Sequence, residues 1–386
     1  MNQLPKKLLS KLEKRRNENN FRELPLTSSK AIDFYSNDYL GFSQNKELKK
    51  IKEKFLKQYT VKQEGSTGAR LLSGNSKIAL ACEKMIAKFH HAHSALLFNS
   101  GYDANVGLLS AVPLRGDLVL YDELCHASII DGMRMSFADN YKFRHNNTAH
   151  LERLLQRHSG SAFPSDAGDQ RHIYVVTESV FSMDGDSAPL KEIAELCKKY
   201  KAYLIVDEAH ATGVFGKHGR GLCSELKIEK DCFARVYTYG KALGVHGAAV
   251  VGDKALIDYL VNFARSFIYT TALPPASIAS IMAAYTVMQK SKGIQMLREN
   301  IKVFNKSSLN TTNKIRSFSA IHCFLVPGNE YATRAAQSLQ KKGFDVRAIK
   351  SPTVKEGSER LRVCLHAFNT PAEVSKLATA LHDVFA

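Results

Sequence analysis

The chain has 386 residues, 44% hydrophobic and 24% charged, which excludes a mainly disordered or collagenous protein and leaves room for two or three domains around a large core. Lys and Arg outnumber Asp and Glu by 54 to 37, a formal net charge of +17. Such an excess admits nucleic acid, an anionic surface or phosphorylated small molecules as partners, and it equally serves solubility alone.

Leu4, Leu8, Leu9 and Leu12 recur at helical spacing among Lys6, Lys7, Lys11, Lys14, Arg15 and Arg16, so residues 4–20 are expected to form a basic amphipathic arm. IDFYSNDYLG reads as a short strand ending in turn residues. Glycines cluster in EGSTGARLLSG, and a helix is expected from Lys77 to His91. Then SALLFNSG, GDLVLYDEL, HIYVVTES, AYLIVDEAH and RVYTYGK form short apolar runs separated by helical stretches such as PLKEIAELCKKYK. Apolar strands alternating with helices indicate βαβ units and a parallel sheet covered on both faces. Polarity rises around KSKGIQMLRENIKVFNKSSLNTTNK. Beyond it, AIHCFLVPG, GFDVRAIKSP and RLRVCLHAF read as strands of a smaller C-terminal α+β domain. The expected division is an arm at 1–45, a large α/β domain at 46–286 and a C-terminal domain at 287–386.

Seven cysteines without a CxxC pair suggest neither a zinc ribbon nor a redox motif and suit a reducing compartment. No apolar run has the length of a signal-peptide core or a membrane span. The expectation is a soluble, cytoplasmic protein with no membrane insertion. DEAH at 207–210 is also a helicase signature, but no Walker loop precedes it. GxSxG and HExxH are absent. His90, His91 and His93 lack metal-ligand spacing and read as a solvated helix end, so no metal is expected.

Ligands of open α/β sheets sit at the carboxyl ends of the strands. Asp207 closes AYLIVD, where a charge is costly without a partner. Lys241 follows RVYTYG; a partly desolvated lysine favours its neutral amine, which attacks carbonyls to give Schiff bases. From the residues alone, an Asp207–Lys241 salt bridge or two ordinary surface charges remain open.

The blocks SNDYLG (36–41), SGYDAN (100–105), YDELCHAS (121–128), TESVFSMDGDSAPL (177–190), VDEAHATGVFGKHGRG (206–221), TYGKALG (238–244) and IYTTALPP (268–275) occur in an order that resembles the α-oxoamine synthases. These are pyridoxal-phosphate enzymes of fold type I, the aspartate aminotransferase-like fold. The resemblance runs from about residue 15 to the C-terminus. One departure is His246, where relatives usually carry a small residue.

The resemblance implies a site. Lys241 would hold pyridoxal phosphate covalently and, once freed, remove the Cα proton of the amino acid. Asp207 would pair with the pyridine nitrogen and keep the ring an electron sink. His126 would stack on the ring face and His210 would lie near its hydroxyl. Glu178, Ser182 and Thr238 match further cofactor positions. Gly101 and Tyr102 would offer backbone N–H groups to the phosphate, and Thr271 would reach a neighbouring subunit's phosphate. For substrate, the resemblance implies Arg22, Asn37, His126 and Thr353, with Arg362 as the carboxylate clamp. Arg360 is the neighbouring alternative and is expected to point to the opposite face.

GSTGARLLSG and the compact length are most similar to the biotin-pathway branch of the family. Its reaction condenses L-alanine with a pimeloyl thioester, carried by coenzyme A or a carrier protein, and releases CO2 and thiol. Other branches, the glycine C-acetyltransferases and serine palmitoyltransferases, differ in amino acid and acyl chain. The implied assembly is a homodimer. A basic nucleic-acid-binding protein is the reading of a different class; no nucleic-acid motif supports it, and no nucleic-acid partner is expected.

Overall fold

In the computed structural model, residues 4–24, 31–159, 171–308 and 313–385 are described. The polar tract before the C-terminal domain falls partly outside them, at 309–312. By contacts the chain divides into two units. One comprises Met1–Asn37, Ser182–Asp186 and Gln295–Ala386; the other comprises Asp38–Phe181 and Ser187–Ile294. Residues of the N-terminal arm thus group with the C-terminal ones. Backbone pairing explains part of this, because Ile32 and Asp33 run parallel to Phe344 and Asp345.

The larger unit is built on a seven-stranded sheet. Its strands are β1 (Ser94–Phe98), β2 (Leu118–Asp122), β3 (Asp139–Phe143), β4 (Ile173–Glu178), β5 (Tyr203–Asp207), β6 (Cys232–Thr238) and β7 (Ala248–Gly252). Their spatial order is β1-β7-β6-β5-β4-β2-β3. All neighbours are parallel except β7, which is antiparallel to both β1 and β6. Helices cover both faces. Val176 and Ile205 join Leu108, Ile129 and Val236 in one apolar cluster, whereas Val175 and Leu204 join Leu155 and Ile193 in another. Adjacent strand residues go to opposite faces and both are buried, so the runs read as continuously apolar.

One expected strand is shorter than its sequence suggests, and two strands of the sheet were not expected. IDFYSNDYLG pairs only at Ile32–Asp33, and residues 38–41 turn. AAVVG forms β7 and DNYKF forms β3, neither of which the apolar-run pattern singles out. Only Phe143 of β3 is buried, as befits an edge strand.

Helix α1 (Lys6–Asn17) has no buried residue, and Leu8 and Leu9 remain exposed. Helix α2 (Lys46–Gln58) is capped by Asn45, whose side chain accepts from the Leu48 N–H. Helix α3 (Lys77–Phe89) is capped by Ser76 through the Ala79 N–H. It stops two residues before His91. His90 is not solvated: it is 1% exposed, stacked on Tyr237 at 3.6 Å and hydrogen-bonded to the Tyr285 hydroxyl at 2.7 Å. An aromatic pocket built from distant residues overrides the local polarity of HHAH.

The smaller unit carries an antiparallel sheet of β8 (Ile321–Leu325), β9 (Arg347–Ile349) and β10 (Arg360–Cys364), in the order β9-β10-β8. Helices Asn329–Lys341 and Pro371–Phe385 belong to the same unit. Among the described residues, no helix is long and apolar enough to cross a membrane, and no group of His, Cys, Asp and Glu could hold a metal.

Candidate active site

In the larger unit, the chemistry gathers where β4, β5 and β6 end. Asp207 is the last residue of β5, and its Cα register partner on β4 is Glu178. Asp207 is 5% exposed; Oδ1 accepts from the Ala209 N–H at 2.8 Å and Oδ2 from Asn105 Nδ2 at 2.8 Å. Glu178 Oε1 accepts from the backbone N–H of His126 at 2.6 Å. Burial, then the Asp207 carboxylate, pushes Glu178 well above the usual carboxylate range, against the His126 N–H that lowers it. Glu178 holds the loop that presents His126.

His126 caps helix α5 (Ala127–Met135) with its imidazole. Nδ1 accepts from the Ser128 N–H at 3.2 Å and lies 2.7 Å from the Ser128 hydroxyl. Burial lowers its proton affinity below that of an ordinary histidine; Asp207 opposes this and Lys241 reinforces it. Lys241 follows β6, and its Nζ donates to Thr238 Oγ1 at 3.2 Å. His210 is buried, with Nδ1 2.7 Å from the Tyr39 hydroxyl. Gly101 opens helix α4 (Gly101–Ala111), which Ser100 caps by accepting from the Asp103 N–H. A Cβ at position 101 would lie 2.3 Å from Cγ2 of Thr238, so only glycine lets the helix start approach the Thr238–Lys241 turn so closely. Tyr102 is half exposed and donates to Asp131 at 2.7 Å. Thr271 is exposed, its carbonyl held by Asn99 at 2.9 Å. His246 is exposed.

The smaller unit gathers a second set. Arg362, on β10, donates from Nε to the Ser182 carbonyl at 2.8 Å, from Nη2 to Asn37 Oδ1 at 3.0 Å and from Nη1 to Cys364 Sγ at 3.0 Å. Arg22 donates to Thr353 Oγ1 at 3.2 Å across 331 positions of sequence. Arg360 does not point to the opposite face from Arg362. Residues two apart on a strand share a face, and Arg360 meets the same segment, ion-paired with Asp184 and donating to the Met183 carbonyl at 3.1 Å.

Sequence reasoning passed over Tyr39, Asn105 and Ser128. Each lies inside a block that carries the resemblance, in SNDYLG, SGYDAN and YDELCHAS, but nothing in the local pattern separates it from its neighbours.

A family model described as aminotransferase class I and II matches residues 29–381. The chain belongs to this family. Within it, the chain is 43% identical over 370 residues to an 8-amino-7-oxononanoate synthase of Emericella nidulans, covering 92% of this chain and 90% of that protein. It is similar in structure to an 8-amino-7-oxononanoate synthase from Francisella tularensis, with a TM-score of 0.76, 29% identity, and 92% and 98% of the two chains covered. It is also similar to a serine palmitoyltransferase from S. paucimobilis with a bound PLP–myriocin aldimine, with a TM-score of 0.86, 25% identity, and 98% and 96% covered. The family's fold agrees with the mainly parallel sheet and its α/β layers. The residues present also suit a pyridoxal phosphate: a buried acceptor carboxylate, an amine on the next strand's turn, and a helix start that a Cβ would obstruct.

Proposed function

We propose that the chain condenses L-alanine with a pimeloyl thioester to give 8-amino-7-oxononanoate, CO2 and free thiol, a step of biotin biosynthesis. The observation that carries this reading is the convergence of Asp207, Lys241, Thr238 and His126 in one unit, in a chain so similar to 8-amino-7-oxononanoate synthases over most of its length. Lys241, Asp207, His126, His210, Ser182, Thr238, Gly101 and Tyr102 are the residues that would hold pyridoxal phosphate, and Thr271 would reach the phosphate of a neighbouring subunit. Bound there, the cofactor supplies an electron sink that makes an amino-acid Cα–H acidic.

The chain's own residues do the rest. The Lys241 amine takes the proton from Cα of alanine. Asp207, as a buried acceptor, favours a protonated ring nitrogen. Cα then bonds to the thioester carbonyl carbon, the thiol leaves, the carboxylate departs as CO2 and a proton returns to Cα. Glu178 supports the His126 loop through the backbone N–H rather than by its charge. Arg22 and Thr353 serve the acyl substrate, and Asn37 serves with Arg362. The seven free cysteines fit a reducing compartment and support a cytoplasmic enzyme.

The test is to supply the purified protein with pyridoxal phosphate, L-alanine and pimeloyl-CoA and to measure thiol, CO2 and the amino ketone. Faster turnover of glycine with acetyl-CoA would instead place the chain with the glycine C-acetyltransferases.

Arg362 is the clamp we assign to the alanine carboxylate. A guanidinium offers two parallel N–H donors, whereas an ammonium is a point charge. Arg360, the neighbouring arginine, is ion-paired with Asp184. A charged hydrogen bond contributes about 1.5–3 kcal/mol. Arg362→Lys should therefore weaken alanine binding roughly 10- to 150-fold, read as the alanine-induced change in cofactor absorbance, with the resting spectrum unchanged. Alanine binding as tight as in the parent would remove Arg362 from this role.

A closed twofold dimer belongs to the same proposal. The Gly65–Gly74 loop exposes Leu71 at 52% and Leu72 at 81%, and Tyr269 is 73% exposed. Arg70, Leu71, Leu80 and Phe267 line a neighbouring groove of about 580 Å³. Light scattering should give twice the chain mass, and Leu72→Asp should shift it towards the monomer. An active monomer would contradict the assignment.

A further inference from the structure

Helices α4 and α5 pack closely because position 132 is glycine; a Cβ there would sit 2.9 Å from the Asn105 carbonyl oxygen and 3.1 Å from Cα of Val106. The contact brings Asn105, on α4, to Ser128, on α5, both buried. Asn105 Nδ2 donates one hydrogen to Asp207 Oδ2 at 2.8 Å and the other to Ser128 Oγ at 3.0 Å. Ser128 Oγ lies 2.7 Å from Nδ1 of His126, which also accepts from the Ser128 N–H.

The direction of every bond in this chain follows from one end. An ionised carboxylate only accepts, so the Asn105 amide must turn its NH2 towards Asp207. The same NH2 then faces Ser128, whose oxygen accepts. The Ser128 hydroxyl hydrogen is left for Nδ1 of His126. With two donors directed at it, Nδ1 carries no proton, and the proton of the neutral ring resides on Nε2.

We propose that Asn105 and Ser128 are positioning residues that relay the acceptor character of Asp207 to Nδ1 of His126 and so hold the imidazole as its Nε2–H tautomer. This rests on the reading above in which His126 and Asp207 face the cofactor. Neither relay residue touches the reacting atoms; both act through His126 and Asp207. The charged groups that bear on the ring are Asp207 and Asp131, which favour the imidazolium, and Lys241, which opposes it. The two substitutions below leave all three in place.

The full-length protein, labelled with 15N at histidine, would be compared by NMR with and without pyridoxal phosphate, the His126 signals being identified by their loss in His126→Gln. In the parent, Nδ1 should show the shift of an unprotonated ring nitrogen and Nε2 that of a protonated one. Ser128→Ala removes one of the two donors to Nδ1. Asn105→Ala frees the Ser128 hydroxyl to turn. Each should reveal a population protonated at Nδ1 and raise the ring's proton affinity roughly two- to twelve-fold, the range of one neutral hydrogen bond. A simple loss of packing would not change which nitrogen holds the proton. If Asn105→Ala does not fold, Ser128→Ala decides alone, because it deletes only one buried oxygen. A protonated Nδ1 in the parent, or the same His126 spectrum in parent and Ser128→Ala, overturns the proposal. Failure of the functional reading is separate: pyridoxal phosphate would leave the absorbance unchanged, while the tautomer in cofactor-free protein could still be measured.

Discussion

Lys241→Ala should abolish formation of the amino ketone, with a fall in kcat of about 10⁴-fold or more. General-base removal alone is worth about 10²–10⁴-fold, and the same substitution deletes the amine that would hold the cofactor. The position leaves little scope for a substitute. Lys241 follows β6, with its Nζ on Thr238, and the next residues, Ala242 and Leu243, are apolar and buried. Borohydride treatment of the parent should fix a pyridoxyl group on the peptide containing Lys241, and the variant should lack that label. Label on another lysine, or turnover within tenfold of the parent, would displace Lys241 from its role. Methylamine added to the variant should restore part of the proton transfer, because the missing group is a small amine.

Asp207→Asn is the second large effect, an expected loss of about 10²–10⁴-fold in turnover with weaker retention of pyridoxal phosphate. The substitution keeps shape and removes charge. Leaving a buried cation without its carboxylate costs about 3–5 kcal/mol, which corresponds to that range. The local hydrogen bonds add to it. Asp207 accepts from the Ala209 N–H on one oxygen and from Asn105 Nδ2 on the other. Asparagine has one acceptor oxygen, so one of these donors must face an NH2 or turn away. An unsatisfied buried donor costs about 1–3 kcal/mol. Absorbance titration with pyridoxal phosphate and steady-state kinetics measure the two parts separately. A variant that binds the cofactor and turns over like the parent would show that this carboxylate is not its partner.

Much of the larger unit was legible because its strands are short and buried on both faces. SALLF, LVLYD, IYVVTE, YLIVD and CFARVYT each coincide with an apolar run. The two strands that escaped notice have physical reasons for doing so. Asp139–Phe143 lies at the sheet edge and buries one side chain. Ala248–Gly252 is short and small, and it enters the sheet antiparallel between β1 and β6, a place no local pattern indicates. The arginines on β10 teach a related lesson. Arg360 and Arg362 have the same type and spacing, and a distant segment, 182–184, sorts them by giving one an aspartate and the other a carbonyl.

By itself the sequence determined the fold class and the order in which the parts of the candidate site occur, since these depend on apolar runs and on short blocks whose residues are contiguous. Asp207 and Lys241 could be singled out because a charge at the end of a buried strand is conspicuous on its own. Only the tertiary structure decided what each of these groups touches. It put Asn105 between Asp207 and Ser128, Tyr39 on His210, Glu178 against a backbone N–H and His90 inside an aromatic pocket. Proton positions follow from such contacts: a hydrogen bond has a direction, and that direction is set by the partner, which here lies tens to hundreds of residues away along the chain.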